Sequence, residues 1–160
     1  MAGTMAMETP ERNAVPGAES VHRDFHAALS AGIEYLDQHY GADAVREFLW
    51  GFAKSYYAPL NRSLRHRGLS ALREHIREAY RREEADVVLR GSDEELWVEV
   101  AACPAVTHIR SSGYPVARLF AETLRSVYKA VCDGTPYAFE LIEYDDATGR
   151  SIMRFRRRPQ

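Results

Sequence analysis

Glu95-Leu96-Trp97-Val98-Glu99-Val100-Ala101-Ala102-Cys103 is the stretch on which the fold turns. Its side chains alternate: Leu96, Val98, Val100 and Ala102 point one way, and Trp97, Glu99, Ala101 and Cys103 the other, as in a half-buried strand. Pro104 cannot donate to a ladder and ends the strand. Working back, Asp86–Arg90 holds Val87, Val88 and Leu89, and Gly91-Ser92-Asp93 supplies turn chemistry, so these two runs form a hairpin. Working forward, Tyr137–Tyr144 and Arg150–Arg157 flank Asp145-Asp146-Ala147-Thr148-Gly149 as a second hairpin.

Ahead of and between the hairpins the apolar period is helical. Phe25, Leu29, Ile33, Leu36 and Tyr40 make one stripe over 21–40, closed by Gly41. Asp43 is a suitable N-cap for a second helix whose buried face carries Val45, Phe48, Leu49, Phe52 and Tyr56. Pro59 breaks or kinks that helix. Ser70 caps a third, with Leu72, Ile76 and Tyr80 inward and a solvated charged face from Arg73 to Arg82. A fourth helix is expected over 115–132, with Pro115 in its first turn. The expectation is an α+β domain over 21–160: N-terminal helices, a mainly antiparallel four-stranded sheet, and one helix between two hairpins. Residues 1–20 lack a hydrophobic period and read as a flexible leader.

The chain has 160 residues, 46% hydrophobic and 28% charged, which fits one globular domain. Its 21 basic and 23 acidic side chains give a net charge of −2, which argues against a nucleic-acid partner. No run approaches the roughly 20 apolar residues of a membrane span. No secretion signal is recognisable, and the two cysteines, Cys103 and Cys132, read as free thiols of a reducing compartment. A cytoplasmic location is expected, with neither cofactor nor metal. His22 and His26 share a helix face, and Cys103, His108 and Cys132 are zinc-compatible, but no paired short spacing of metal ligands occurs. Phosphate loops and a nucleophile elbow are absent as well.

Chemistry is expected where the patterned strand meets its proline. Cys103 is held by sheet geometry beside a loop, and His108, five residues on, is placed to fold back toward the sulfur and raise its thiolate fraction. Cys103 equally fits as small core filler. Glu99 shares the Cys103 face, and Glu122 borders the apolar stripe of the fourth helix; either could orient a base or hold a substrate amine. Glu122 also fits a solvated pair with Arg118 or Arg125. Arg110 or Arg118 could hold a substrate carboxylate, and Trp97, Phe120 and Phe139 could line the pocket. The aromatic second helix, Phe48 to Tyr57, suggests burial on two faces, a pocket or a homodimer contact.

Ala102-Cys103-Pro104, the passage to Gly113, the helix Val116–Val131, Gly134-Thr135-Pro136 and the strand from Tyr137 to Leu141 together resemble the L-2-amino-thiazoline-4-carboxylate hydrolase-like family. The resemblance implies a small α+β domain that hydrolyses a cyclic amidine carbon, with Cys103 as nucleophile. The expected function is therefore a hydrolase acting on a small polar C–N substrate. In it Cys103 attacks, His108 shuttles the proton, and Glu99 or Glu122 orients the imidazole or the substrate. The architecture is also similar to 4-vinyl-reductase-type domains, which implies a non-catalytic small-molecule-binding or accessory role as the alternative.

Overall fold

The computed structural model describes residues 18–159, with side chains from Asp24 onward. The expected leader therefore lies, as far as residue 17, outside the described residues, as does the side chain of His22. The elements run α1 (Ala18–Tyr40), α2 (Ala42–Tyr56), α3 (Ala58–Arg67), α4 (Leu69–Arg82), β1 (Val88–Gly91), β2 (Glu95–Val100), α5 (Pro104–Ser111), α6 (Glu122–Cys132), β3 (Tyr137–Tyr144) and β4 (Ser151–Arg157). The strands form one antiparallel sheet in the order β1-β2-β4-β3, so the two hairpins join through β2 and β4. This is an α+β fold with four helices ahead of the sheet and two between its hairpins. No helix among the described residues is long and apolar enough to cross a membrane.

The alternation in β2 decides which sheet face is covered. Leu96 pairs with Phe155 and Val98 with Met153, and all four are fully buried beneath Leu64, Leu72 and Ile76 of α3 and α4. The opposite face is polar: Arg154 lies 5.1 Å over the Trp97 ring and is ion-paired with Glu95. A second core holds α1, α2, α5 and α6 together through Ile33, Val45, Leu49, Ile109 and Val127.

Several local expectations are corrected. Phe25 and Tyr40 stand 55% and 68% exposed, so the α1 stripe narrows to Ile33 with partial support from Leu29 and Leu36. In α2 the buried positions are Val45, Leu49 and Ala53, while Phe48, Phe52 and Tyr56 face outward. Gly41, not Asp43, is the N-cap; its φ of 84° and ψ of 175° belong to a region essentially reserved for glycine. Asp43 instead sits in the first turn and accepts from Arg46 at 2.8 Å. Gly68 likewise replaces Ser70 as the cap of α4, and the Ser70 hydroxyl donates back to the Arg67 carbonyl at 2.8 Å. The α2 helix ends before Pro59, which falls in the first turn of α3, where a missing N–H costs nothing.

Two corrections bear on function. Pairing in β2 stops at Val100, and the passage after Pro104 is the helix α5 rather than a loop. The expected helix over 115–132 shortens to α6. Residues 115–117 are irregular, the Ala117 amide donating to Ser30 Oγ of α1 at 2.9 Å. The chain then enters α6 through turns in which the Phe120 amide donates to the Ala117 carbonyl and the Thr123 amide to that of Phe120.

Candidate functional site

The sheet edge, the end of α4 and the start of α5 meet around Cys103. Cys103 is extended (φ −74°, ψ 122°) and occupies the N-cap of α5, with Pro104 in the first turn. Its amide donates to the Thr148 carbonyl at 3.0 Å, and its carbonyl accepts from Thr107 at 2.9 Å. The chain can pass this closely because residue 149 is glycine, at φ +68°. A Cβ there would overlap that of Cys103 and lie 2.9 Å from Val106 Cγ2. The thiol makes no capping hydrogen bond. Burial pushes its pKa up, against the weaker opposing pull of the Val106 and Ala105 amides, and Glu83 adds to the rise. Burial also raises the phenols of Tyr80 and Tyr144, and Cys103 is among the groups that raise each further.

A cleft of about 450 Å³ opens against Ala102 and Pro104, the residues on either side of Cys103. One wall is the turn after α4, with Glu83, Glu84 and Asp86; the floor is Ala101 and Ala102; the other wall is α5, with Pro104, Thr107, His108 and Ser111. Glu83 is tied to α1 by a contact of 3.0 Å with His26 Nε2. Residues 83–86 therefore stand across a space sized for a small molecule from Thr107, His108 and Ser111, the Ser111 hydroxyl donating to the His108 carbonyl at 2.9 Å.

Helix α5 separates the expected pair. His108 reaches the cleft wall, whereas Cys103 is not among the residues that line it. No hydrogen bond joins them among the described residues. Glu99 lies on the outer sheet face, 3.8 Å from Arg90. Glu122 is fully enclosed at 2% exposure, not in solvent. It accepts from Ser126 Oγ at 2.6 Å, Arg125 at 2.9 Å and Arg46 Nε at 3.4 Å. Burial alone would raise its pKa, but these donors together hold it below the usual carboxylate range. Its role is to bind α6 to α2. Arg118 is committed to Asp37 by contacts of 2.7 and 2.8 Å, and Arg110 donates to the Asp146 carbonyl at 3.0 Å.

The expected aromatic lining does not assemble. Phe120 packs in the helical core, Phe139 in the sheet core beside Phe155, and Trp97 lies on the outer face under Arg154. Cys132 is buried and its thiol is pushed up to about 12. No group of three or more His, Cys, Asp or Glu side chains is arranged to hold a metal ion among the described residues. Sequence reasoning missed Glu83, Glu84 and Asp86, although the switch from Arg81-Arg82 to Glu83-Glu84 where α4 ends is a visible change of sign. A larger groove of about 940 Å³ runs between α1 and residues 114–118, lined mainly by small and aromatic side chains. Compared with known proteins, the chain matches no family model and no curated sequence.

Proposed function

We propose that this chain binds a small, cationic C–N compound, such as a cyclic amidine, in the cleft between the Glu83–Asp86 turn and α5. The carrying observation is the composition of that cleft: carboxylates on one wall opposite His108, Thr107 and Ser111 on the other. Amidines are basic and largely protonated at neutral pH, and their planar N–H groups suit bidentate pairing with a carboxylate. A cytoplasmic setting suits the two free thiols.

Binding is favoured over cysteine hydrolysis by the state of the sulfur. A nucleophile needs thiolate, and burial holds the Cys103 thiol protonated. The hydrolase reading retains one support: Glu83 belongs to the cleft wall and also acts on the Cys103 thiol, so a bound cation would sit close to both. Ligand-induced thermal stabilisation distinguishes the two readings. A ligand at ten times its Kd stabilises the fold by about 1.4 kcal/mol. A small cyclic amidine should raise Tm in the wild type and in Cys103→Ser, and fail to do so in Asp86→Asn/Glu84→Gln. Turnover of the amidine by the wild type, lost in Cys103→Ser, would instead establish the hydrolase. Equal stabilisation of the wild type and the carboxamide variant would remove the cleft from the account.

A further inference from the structure

A second concavity, of about 280 Å³, lies where α2, α3 and the end of α6 meet, and shares no residue with the cleft. Ala53, Ala58 and Ala130 give it a small apolar floor, and Lys54, Arg62 and Arg65 stand exposed around it. No acidic side chain lines it among the described residues. Arg62 and Arg65 are one turn apart on the same face of α3.

Arg65 is oriented by a neutral partner. Both amide hydrogens of Asn61 go to carbonyls at the end of α6, that of Val131 at 2.7 Å and that of Asp133 at 2.9 Å. The Asn61 oxygen is thereby turned to accept from Arg65 Nε at 3.1 Å. One terminal nitrogen of the guanidinium rests against Gly134, where an added Cβ would stand 2.9 Å from it. The guanidinium is thus fixed in place without being neutralised. Asp133, outside the lining, is engaged by Lys54 at 2.8 Å, and Arg158 and Arg65 add to the field that holds its carboxyl below the usual range. The C-terminal end of α6 offers only about half a negative charge more. Positive charge is in excess at this corner of an otherwise slightly acidic chain.

We propose that this concavity binds the phosphate group of a small phosphate monoester, with Arg62 and Arg65 as guanidinium ligands and Lys54 as a third donor. A guanidinium fork meets a phosphate through two parallel N–H···O bonds. A carboxylate brings one charge and two oxygens, whereas a phosphate monoester brings close to two charges and three acceptor oxygens. The second is the better match to three cationic side chains. The volume lies just under the usual range for a whole drug-sized ligand, so the charged group enters and its carrier extends outward. A net charge of −2 argues against a nucleic-acid backbone as the source of the phosphate.

Titration of isotope-labelled protein with glycerol 3-phosphate at constant ionic strength tests this. Amides of residues 54, 58–65 and 130–134 should shift together and saturate at millimolar ester, with glycerol inert. Affinity should rise through about pH 6, where the ester takes its second charge. Arg62→Gln and Arg65→Gln should each weaken binding about tenfold. Arg77→Gln, which removes the same charge from α4, should leave it unchanged. Arg62→Gln breaks no hydrogen bond of the fold among the described residues, so it keeps the test readable if Arg65→Gln loosens α3. No saturable shift, acetate binding as tightly as the ester, or equal losses in Arg62→Gln and Arg77→Gln overturns the proposal. Tighter binding of inorganic phosphate overturns it in favour of the bare ion, and displacement of the ester by single-stranded DNA at equal phosphate concentration in favour of a polyanion.

Discussion

Cys103 shows how little a residue's position in the chain says about its reactivity. The same N-cap site that aims two amides toward the sulfur also removes it from water, and the second effect is the larger. At pH 7 the thiol should therefore react with iodoacetamide more slowly than glutathione, and its rate should keep rising with pH beyond the point where that of glutathione levels off. Peptide mapping after timed alkylation reads this directly, and a rate above that of glutathione would reverse the order of the two readings. Gly149, in the turn that leads into β4, is the matching constraint. Gly149→Ala combines a strained positive φ with overlap against Cys103 and Val106, so it should cost about 2–5 kcal/mol in urea unfolding.

Among the elements, α6 is fastened by one buried carboxylate. Glu122 links α6 to α2 through Arg46 and closes its own first turn through Ser126 and Arg125. Because its folded pKa is depressed, the stability it contributes is present above the ordinary carboxylate range. That stability is lost as pH falls below about 4.5 and on through the depressed value. Glu122→Gln should cost about 1.5–3 kcal/mol at pH 7 and flatten the acid limb of the stability–pH curve. Strands were the most legible elements, since Leu96, Val98 and Val100 alternate without a break and Gly149 closes the second hairpin. Helices were less legible: the pattern gives three before β1 where four form, because Pro59 opens a separate helix, α3, and it misjudges the facing of α2 as well. The aromatics of α2 carry the hydrophobic signal, yet the smaller Val45, Leu49 and Ala53 fill the core. Helix α5 escapes that reading because Pro104 counts in it only as the end of a strand and not as a helix N-terminus, although Ala105, Val106 and Ile109 are spaced for one buried helical face. Helix α6 starts too early in it because residues 115–121 pass through irregular backbone and turns before the helix begins.

Across the molecule, two cores are stitched at a single seam. Tyr57 packs against both the sheet core and the helical core. The thiol of Cys103 borders the second core, while Val100, three residues before it, belongs to the first. The cleft opens at this seam, where the end of α4, the exit of β2 and the start of α5 each contribute a wall. A site of this kind is invisible to a reading along the chain, because its acids come from 83–86 and its imidazole from 108, on elements joined only by folding. Its placement is also its most direct test. With isotope-labelled protein, titration of a small cyclic amidine should move the amide resonances of residues 83–86 and 101–111 together, saturably, and leave residues 34–38 and 114–118 unmoved. Shifts gathered instead along α1 and residues 114–118, or none at millimolar ligand, would contradict a cation site at this seam.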